Sequence, residues 1–147
     1  MKISTKVEYG LVALTDIAIH SEKSVVSTVD IAKRQHISQK YLEQILMRLK
    51  QAGLLRAVKG VGGGYMLAKS ADKITMSEVL DALDHSLLAE NEHYDDERTS
   101  ELKESANACF WNIINGQIRT YTENMTLLDF ISKCSAHKMN EWDMYVI

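Results

Sequence analysis

A mainly α-helical chain with one small β-hairpin, built as a winged helix-turn-helix with a long dimerisation helix appended, is the fold class these 147 residues predict. Three observations carry that expectation. Residues 53–68 set two short apolar stretches on either side of a glycine-dense turn that holds Lys59, the pattern of a hairpin with an open loop. Just before it, Leu42, Ile45, Leu46 and Leu49 repeat at helical spacing beneath a polar outer side. Further on, Leu102, Ala106, Phe110, Ile113, Ile114, Ile118 and Tyr121 form one apolar stripe over about residues 99–123. A helix of that length is too long to hide against a domain of this size, so its free stretch suits a second copy of the chain.

Each element has its own signal. Helix one is expected over about residues 5–21, with Val7, Leu11, Leu14 and Ala18 on one face. Ser27-Thr28-Val29-Asp30 has the form of a capping box, the Ser27 hydroxyl accepting from the Asp30 amide while the carboxylate reaches back. Helix two therefore opens at Thr28, runs to about Gln35 and buries Ile31 and Ala32. After a tight turn at His36-Ile37, Ser38 is a good N-cap for helix three, and Gly53 stands where a left-handed C-terminal cap belongs. Strands at 54–58 and 65–68 enclose the loop from Lys59 to Gly64. Thr75-Met76-Ser77-Glu78 is a second capping box and starts a short helix with Val79, Leu80 and Leu83 inward. Residues 85–98 are polar and acidic and read as a loop. A third box, Thr126-Leu127-Leu128-Asp129, starts a last short helix, and a tail runs from Ser135 to Ile147. The domain plan is a winged helix-turn-helix over 1–84, an acidic loop over 85–98, the dimerisation helix and short helix over 99–134, and a C-terminal tail over 135–147.

Net charge is −3, which alone argues against a nucleic-acid partner, but its distribution argues the other way. Residues 1–70 hold eleven Lys/Arg against five Asp/Glu, whereas 71–147 hold six against fifteen. A front half at +6 can neutralise phosphates, while a rear half at −9 faces away and keeps the protein soluble. No apolar run approaches the roughly 18–20 residues of a membrane span, and Met1-Lys2-Ile3-Ser4 lacks the apolar core of a signal peptide. A cytoplasmic location with no membrane partner is expected. Two cysteines, Cys109 and Cys134, exclude a disulfide framework and a self-contained cysteine-rich metal site. No cofactor and no metal ligand are expected.

With helix three laid in a major groove, its outer face offers Ser38, Gln39, Lys40, Tyr41, Glu43, Gln44 and Met47. Glutamine presents a paired donor and acceptor to adenine, glutamate accepts from the cytosine amino group, and lysine reaches guanine or phosphate. Arg48 and Lys50, further along, suit the phosphate backbone. Gly60, Gly62 and Gly63 let the Lys59 loop approach the sugar–phosphate edge closely, and a cation there can enter a narrow minor groove. The partner expected is double-stranded DNA. A nucleotide-binding loop would follow a strand, open a helix and continue with Lys-Ser/Thr, whereas Gly64 runs into the strand-like Tyr65-Met66-Leu67. No Ser/His/Asp set and no metal-spaced His/Glu pair is present, so neither an enzyme nor a catalytic residue is expected. A protein-interaction module that kept this shape without binding DNA is disfavoured by the polar face and the basic front half.

The chain resembles the Rrf-type winged-helix transcriptional regulators, the group of IscR, NsrR and CymR. The resemblance lies in Met1-Lys2-Ile3-Ser4-Thr5-Lys6 with Tyr9-Gly10, in Ile37 through Ile45, and in Ala52-Gly53-Leu54-Leu55 through Gly62-Gly63-Gly64-Tyr65. Ile74 to Leu83, Trp111 and Thr126-Leu127 extend it to about residue 131. It implies a homodimeric transcription factor on a palindromic DNA site, its long helix crossing the partner's, with Ser38 to Gln44 in the major groove and Lys59 at the wing.

Cluster-binding members of that family place three cysteines in the loop and the start of the long helix. Aligned on Trp111, this chain has Thr99 and Ser105 there, and Cys109 falls one helical turn later, where packing is the expectation. An iron–sulfur centre normally takes four ligands, mostly thiolate, so Cys109 and Cys134 would have to recruit His85, His93 or Glu8. A cluster-free protein is expected, closest in kind to the member that represses cysteine-metabolism genes in complex with cysteine synthase (O-acetylserine sulfhydrylase). The tail is similar in kind to those that enzyme recognises. Ile147 offers a free carboxylate beside an apolar side chain, with Val146 before it and Tyr145 to pack at the pocket entrance. The expected function is a DNA-binding regulator of sulfur or cysteine metabolism, a repressor, controlled by that partner. The alternative is a thiol- or cluster-based redox sensor using Cys109, Cys134 and non-cysteine ligands.

Overall fold

Helix α1, Thr5–His20, opens on the Ser4 hydroxyl, which accepts from the Val7 amide. The structure is a computed structural model and describes residues 3–89 and 100–145. Helix α1 sinks Val7, Ala13, Leu14 and Ile17 into the core. Gly10 lies on the same face because helix α4, Met76–Leu83, comes so close that a Cβ there would sit 2.3 Å from Leu83 Cδ2. Helices α2, Thr28–Gln35, and α3, Gln39–Gln51, form the helix-turn-helix. The turn between them relies on His36 in the left-handed region (φ 55°, ψ 41°), which lets the chain reverse and drop Ile37 into the core. Ser38 then caps α3 by accepting from the Tyr41 amide at 3.2 Å. Leu42, Ile45, Leu46 and Leu49 are buried as their spacing requires, and Gly53, with φ +77°, ends the helix.

The wing is an antiparallel hairpin of β1, Leu55–Val58, and β2, Gly64–Leu67, in the register Leu55 with Leu67 and Val58 with Gly64. A third segment holds it. Val26 and Tyr65 exchange backbone hydrogen bonds, each 2.8 Å, so the hairpin is fastened to the residue just before the α2 cap. Gly64 permits that contact, since a Cβ would stand 2.3 Å from the Val26 carbonyl oxygen.

Thr75 and Glu78 complete the box expected at the start of α4, with both reciprocal bonds present. At Ser27 only one limb forms: its hydroxyl accepts from the Asp30 amide at 3.1 Å, and α2 opens at Thr28 as expected. The long helix runs unbroken from 101 to 123 as α5 (Glu101–Ala106), one π turn (Asn107–Trp111) and α6 (Asn112–Glu123). Helix α7, Leu127–Tyr145, follows the box in which Thr126 and Asp129 exchange bonds of 2.9 and 3.1 Å. Its start is tied back to the start of α4, Met76 donating to the Met125 carbonyl and Leu127 to that of Ile74, both at 2.8 Å.

The last helix therefore departs from the expectation. It does not stop near residue 134: the segment from Ser135 to Tyr145 is its continuation rather than a separate tail. Val146, Ile147, His93 and the acidic stretch 90–99 lie outside the described residues. The near end of the expected loop is one 3-10 turn, His85–Leu87.

Candidate nucleic-acid interface

Helix α3 is fixed from below and free above. Its buried stripe is locked between α1, α4 and β1, which leaves Ser38, Gln39, Lys40, Glu43, Gln44, Met47, Arg48 and Lys50 exposed. Gln39 donates to Glu43 across one turn at 3.3 Å, aligning these two polar side chains along the same edge. Tyr41 is the exception on this face. Its ring is half-buried and meets Tyr9 edge-on at 5.9 Å, so it packs α3 against α1 rather than standing free.

Not every cation of the basic front half is available. Arg34, on α2, donates from Nε and Nη2 to the two carboxylate oxygens of Asp16, at 3.0 and 2.7 Å. Gln35 Nε2 adds a third bond at 2.6 Å. The Asp16 side chain has no solvent exposure at all. Burial pushes its carboxyl up, yet the bonds from Arg34 and Gln35 outweigh that and hold it below its ordinary value. This cluster fastens α2 to α1 and so fixes the angle at which α3 is presented. Lys69 is likewise engaged with Glu78 at 2.6 Å. Sequence reasoning missed the Asp16 cluster, although Asp16 falls among Ala13, Leu14 and Ile17 on the inner face of α1, where an unpaired carboxylate would be costly.

At the wing, Lys59 is exposed beside a closed turn in which Gly63 N–H donates to the Gly60 carbonyl at 3.0 Å. Gly60 and Gly62 take φ of +102° and +75°, and a Cβ on Gly63 would lie 2.3 Å from the Val58 carbonyl oxygen. The glycines are thus required by the backbone path itself.

The long helix separates into two halves. Its C-terminal half rests on α4, with Thr122 buried and Ile118 half-buried. Its N-terminal half stands clear, with Leu102 79% exposed and Phe110 55%, and the outer side stays open along the rest of the helix at Ile113 (56%) and Tyr121 (63%). Ala106 and Ile114 are exposed with them.

Cys109 is exposed on the π turn, so it is not core packing within one chain. Cys134 is exposed too, and lines an open apolar groove of about 860 Å³ between α1 and α7, along with Glu8 and Lys138. Glu8 and Cys134 are brought to one place, while Cys109 and His85 are not among the groove's lining residues. Among the described residues, no three His, Cys, Asp or Glu side chains gather as a metal site would need. The described donors of one chain therefore do not by themselves make up a four-ligand cluster. Among the same residues no helix is long and apolar enough to cross a membrane.

A family model described as Rrf2, iron-dependent transcriptional regulator, matches residues 3–133. The chain is 46% identical over 91 residues to the HTH-type transcriptional regulator IscR of Cereibacter sphaeroides, a match that spans 60% of this chain and 59% of that one. Two solved structures share the architecture. CymR (YrzC), the global cysteine regulator of B. subtilis, superposes with a TM-score of 0.75 at 29% identity, covering 90% of this chain and 98% of the other. T. potens IscR superposes with a TM-score of 0.73 at 30% identity, covering 91% and 88%.

Proposed function

The chain belongs to the Rrf2 family of winged-helix transcriptional regulators, and from that premise we propose that it binds a palindromic DNA site as a homodimer. The polar face of α3 enters the major groove, where Gln39, Lys40, Glu43 and Gln44 address base edges while Arg48 and Lys50 hold phosphates. Lys59 reaches the adjacent minor groove from the wing. One observation carries the reading: a recognition face and a cationic hairpin, exposed together, are joined to one rigid frame by the Asp16–Arg34 cluster and the Val26–Tyr65 bridge. The dimer rests on the apolar stripe of 102–121, too extended to be left in water.

Selection of duplexes from a random pool, followed by titration of variants, tests the interface. Gln44→Ala and Lys59→Ala each lower affinity about tenfold. Lys59→Ala also lowers the salt slope by about one, which Gln44→Ala does not. Unchanged affinity in the double variant would remove the DNA reading.

For the signal, two readings have support. The family description and the IscR relatives favour control linked to iron or to redox state. Here it would draw on Cys109, Cys134, Glu8 and His85, of which only Glu8 and Cys134 line a common groove within one chain. The likeness to CymR, a global cysteine regulator, favours control of cysteine-metabolism genes, and the partner proposed for that control is cysteine synthase. In that reading Tyr145, Val146 and Ile147 are the contact. Affinity purification under strict anaerobiosis separates the two. Visible absorption that disappears on exposure to air supports the first, and a co-purified enzyme lost on deletion of Val146 and Ile147 supports the second.

A further inference from the structure

Among the described residues the most exposed large apolar side chain is Val61, at 110% of its reference surface. It sits at the tip of the wing, two residues from Lys59, and lies outside the core. The backbone nevertheless holds it still. With the Gly63 to Gly60 hydrogen bond and Gly62 at φ +75°, Val61 occupies the second position of a turn of type II form. The Val26 bridge fixes the hairpin beneath it, and a β-branched side chain has few rotamers to lose. A stiff apolar group on a fastened support, beside a free cation, is arranged for a surface outside this chain.

We propose that Val61 is a specificity-determining residue of the DNA interface, seated in the minor groove and selecting an A·T over a G·C pair at the step it covers. The inference rests on the DNA reading above. In the minor groove both pairs show acceptors, but only G·C adds the guanine N2 amino donor. A valine pressed over that amino group offers it no acceptor and excludes the water that would serve it, so a G·C pair is penalised there. Lys59 supplies attraction without discrimination; Val61 supplies discrimination without charge.

The test uses the full-length protein and a duplex enriched from a random pool, with hydroxyl-radical footprinting to locate the minor-groove step under the wing. That step is made A·T, G·C or inosine·C, the last lacking the N2 amino group. The wild-type chain loses about tenfold in affinity on G·C and regains it on inosine·C. Val61→Ser, whose hydroxyl can accept from the amino group, keeps the wild-type salt slope and unfolding temperature while its G·C loss shrinks to about threefold or less. A Val61→Ser protein that discriminates as strongly as wild type, or a G·C loss that inosine does not relieve, overturns the proposal while leaving the DNA reading intact. A wild-type chain that enriches no duplex removes both.

Discussion

At Asp16 a fully buried carboxylate holds two side chains of the second helix, and α3, which follows that helix, inherits its orientation from that grip. Arg34→Ala leaves the charge with Gln35 as its only strong donor, and because the guanidinium is partly exposed the cost falls below that of a fully buried pair, at about 2 kcal/mol. Urea unfolding at neutral pH measures this. The pH dependence has a definite sign. The folded carboxyl titrates below its ordinary value of 3.8, so its stabilisation is present above that pH and is lost as pH falls through the folded value. In Arg34→Ala the acid-side loss of stability over that range shrinks, and an unchanged acid limb would contradict the assignment. Gly10 makes a second prediction at this scale. Gly10→Ala improves helix propensity by about 1 kcal/mol, yet forces a methyl into the fully buried Leu83 side chain. Overpacking of that kind costs about 1–3 kcal/mol, so the net change is destabilising by about 1 kcal/mol, read as a lower unfolding midpoint. The outer residues of α3 were legible because an apolar stripe at helical spacing determines which residues stand opposite it. Asp16 and Tyr41 were not: the partners that bury them, Arg34 and Tyr9, lie far along the chain, and no periodicity reports such a meeting.

At the scale of elements, caps and periodicity account for most of what the sequence revealed. Ser38, Thr75 and Thr126 start their helices where an N-cap hydroxyl predicts, because each satisfies an amide the first turn leaves open. The end of α7 was misplaced for a physical reason that was also present in the sequence. From Leu127 to Tyr145 there is neither glycine nor proline, so nothing stops the helix once the Thr126 box has started it. The long helix was legible in extent, but not its π turn, which sits within the stretch that touches little of its own chain. Phe110→Asp with Ile113→Asp places two charges on the exposed stripe. Sedimentation equilibrium should then show one-chain mass where the wild type shows two, with helical content retained. A variant that stays dimeric would move the interface elsewhere.

For the whole molecule, the charge division and the exposed apolar stripe fit the one arrangement proposed above. In it the basic front half would present α3 and the wing to phosphates, while the acidic rear would carry the helices that join two copies. Two copies related by a twofold axis would set the recognition helices toward successive major grooves, about 34 Å apart along the duplex. The measurement that tests this most directly is sedimentation of the purified protein with a labelled duplex selected by it, across a salt series. Two chains should travel with each duplex, and log K should fall linearly with log salt, as release of counterions from several phosphates demands. One chain per duplex, or affinity that salt leaves unchanged, would contradict the account.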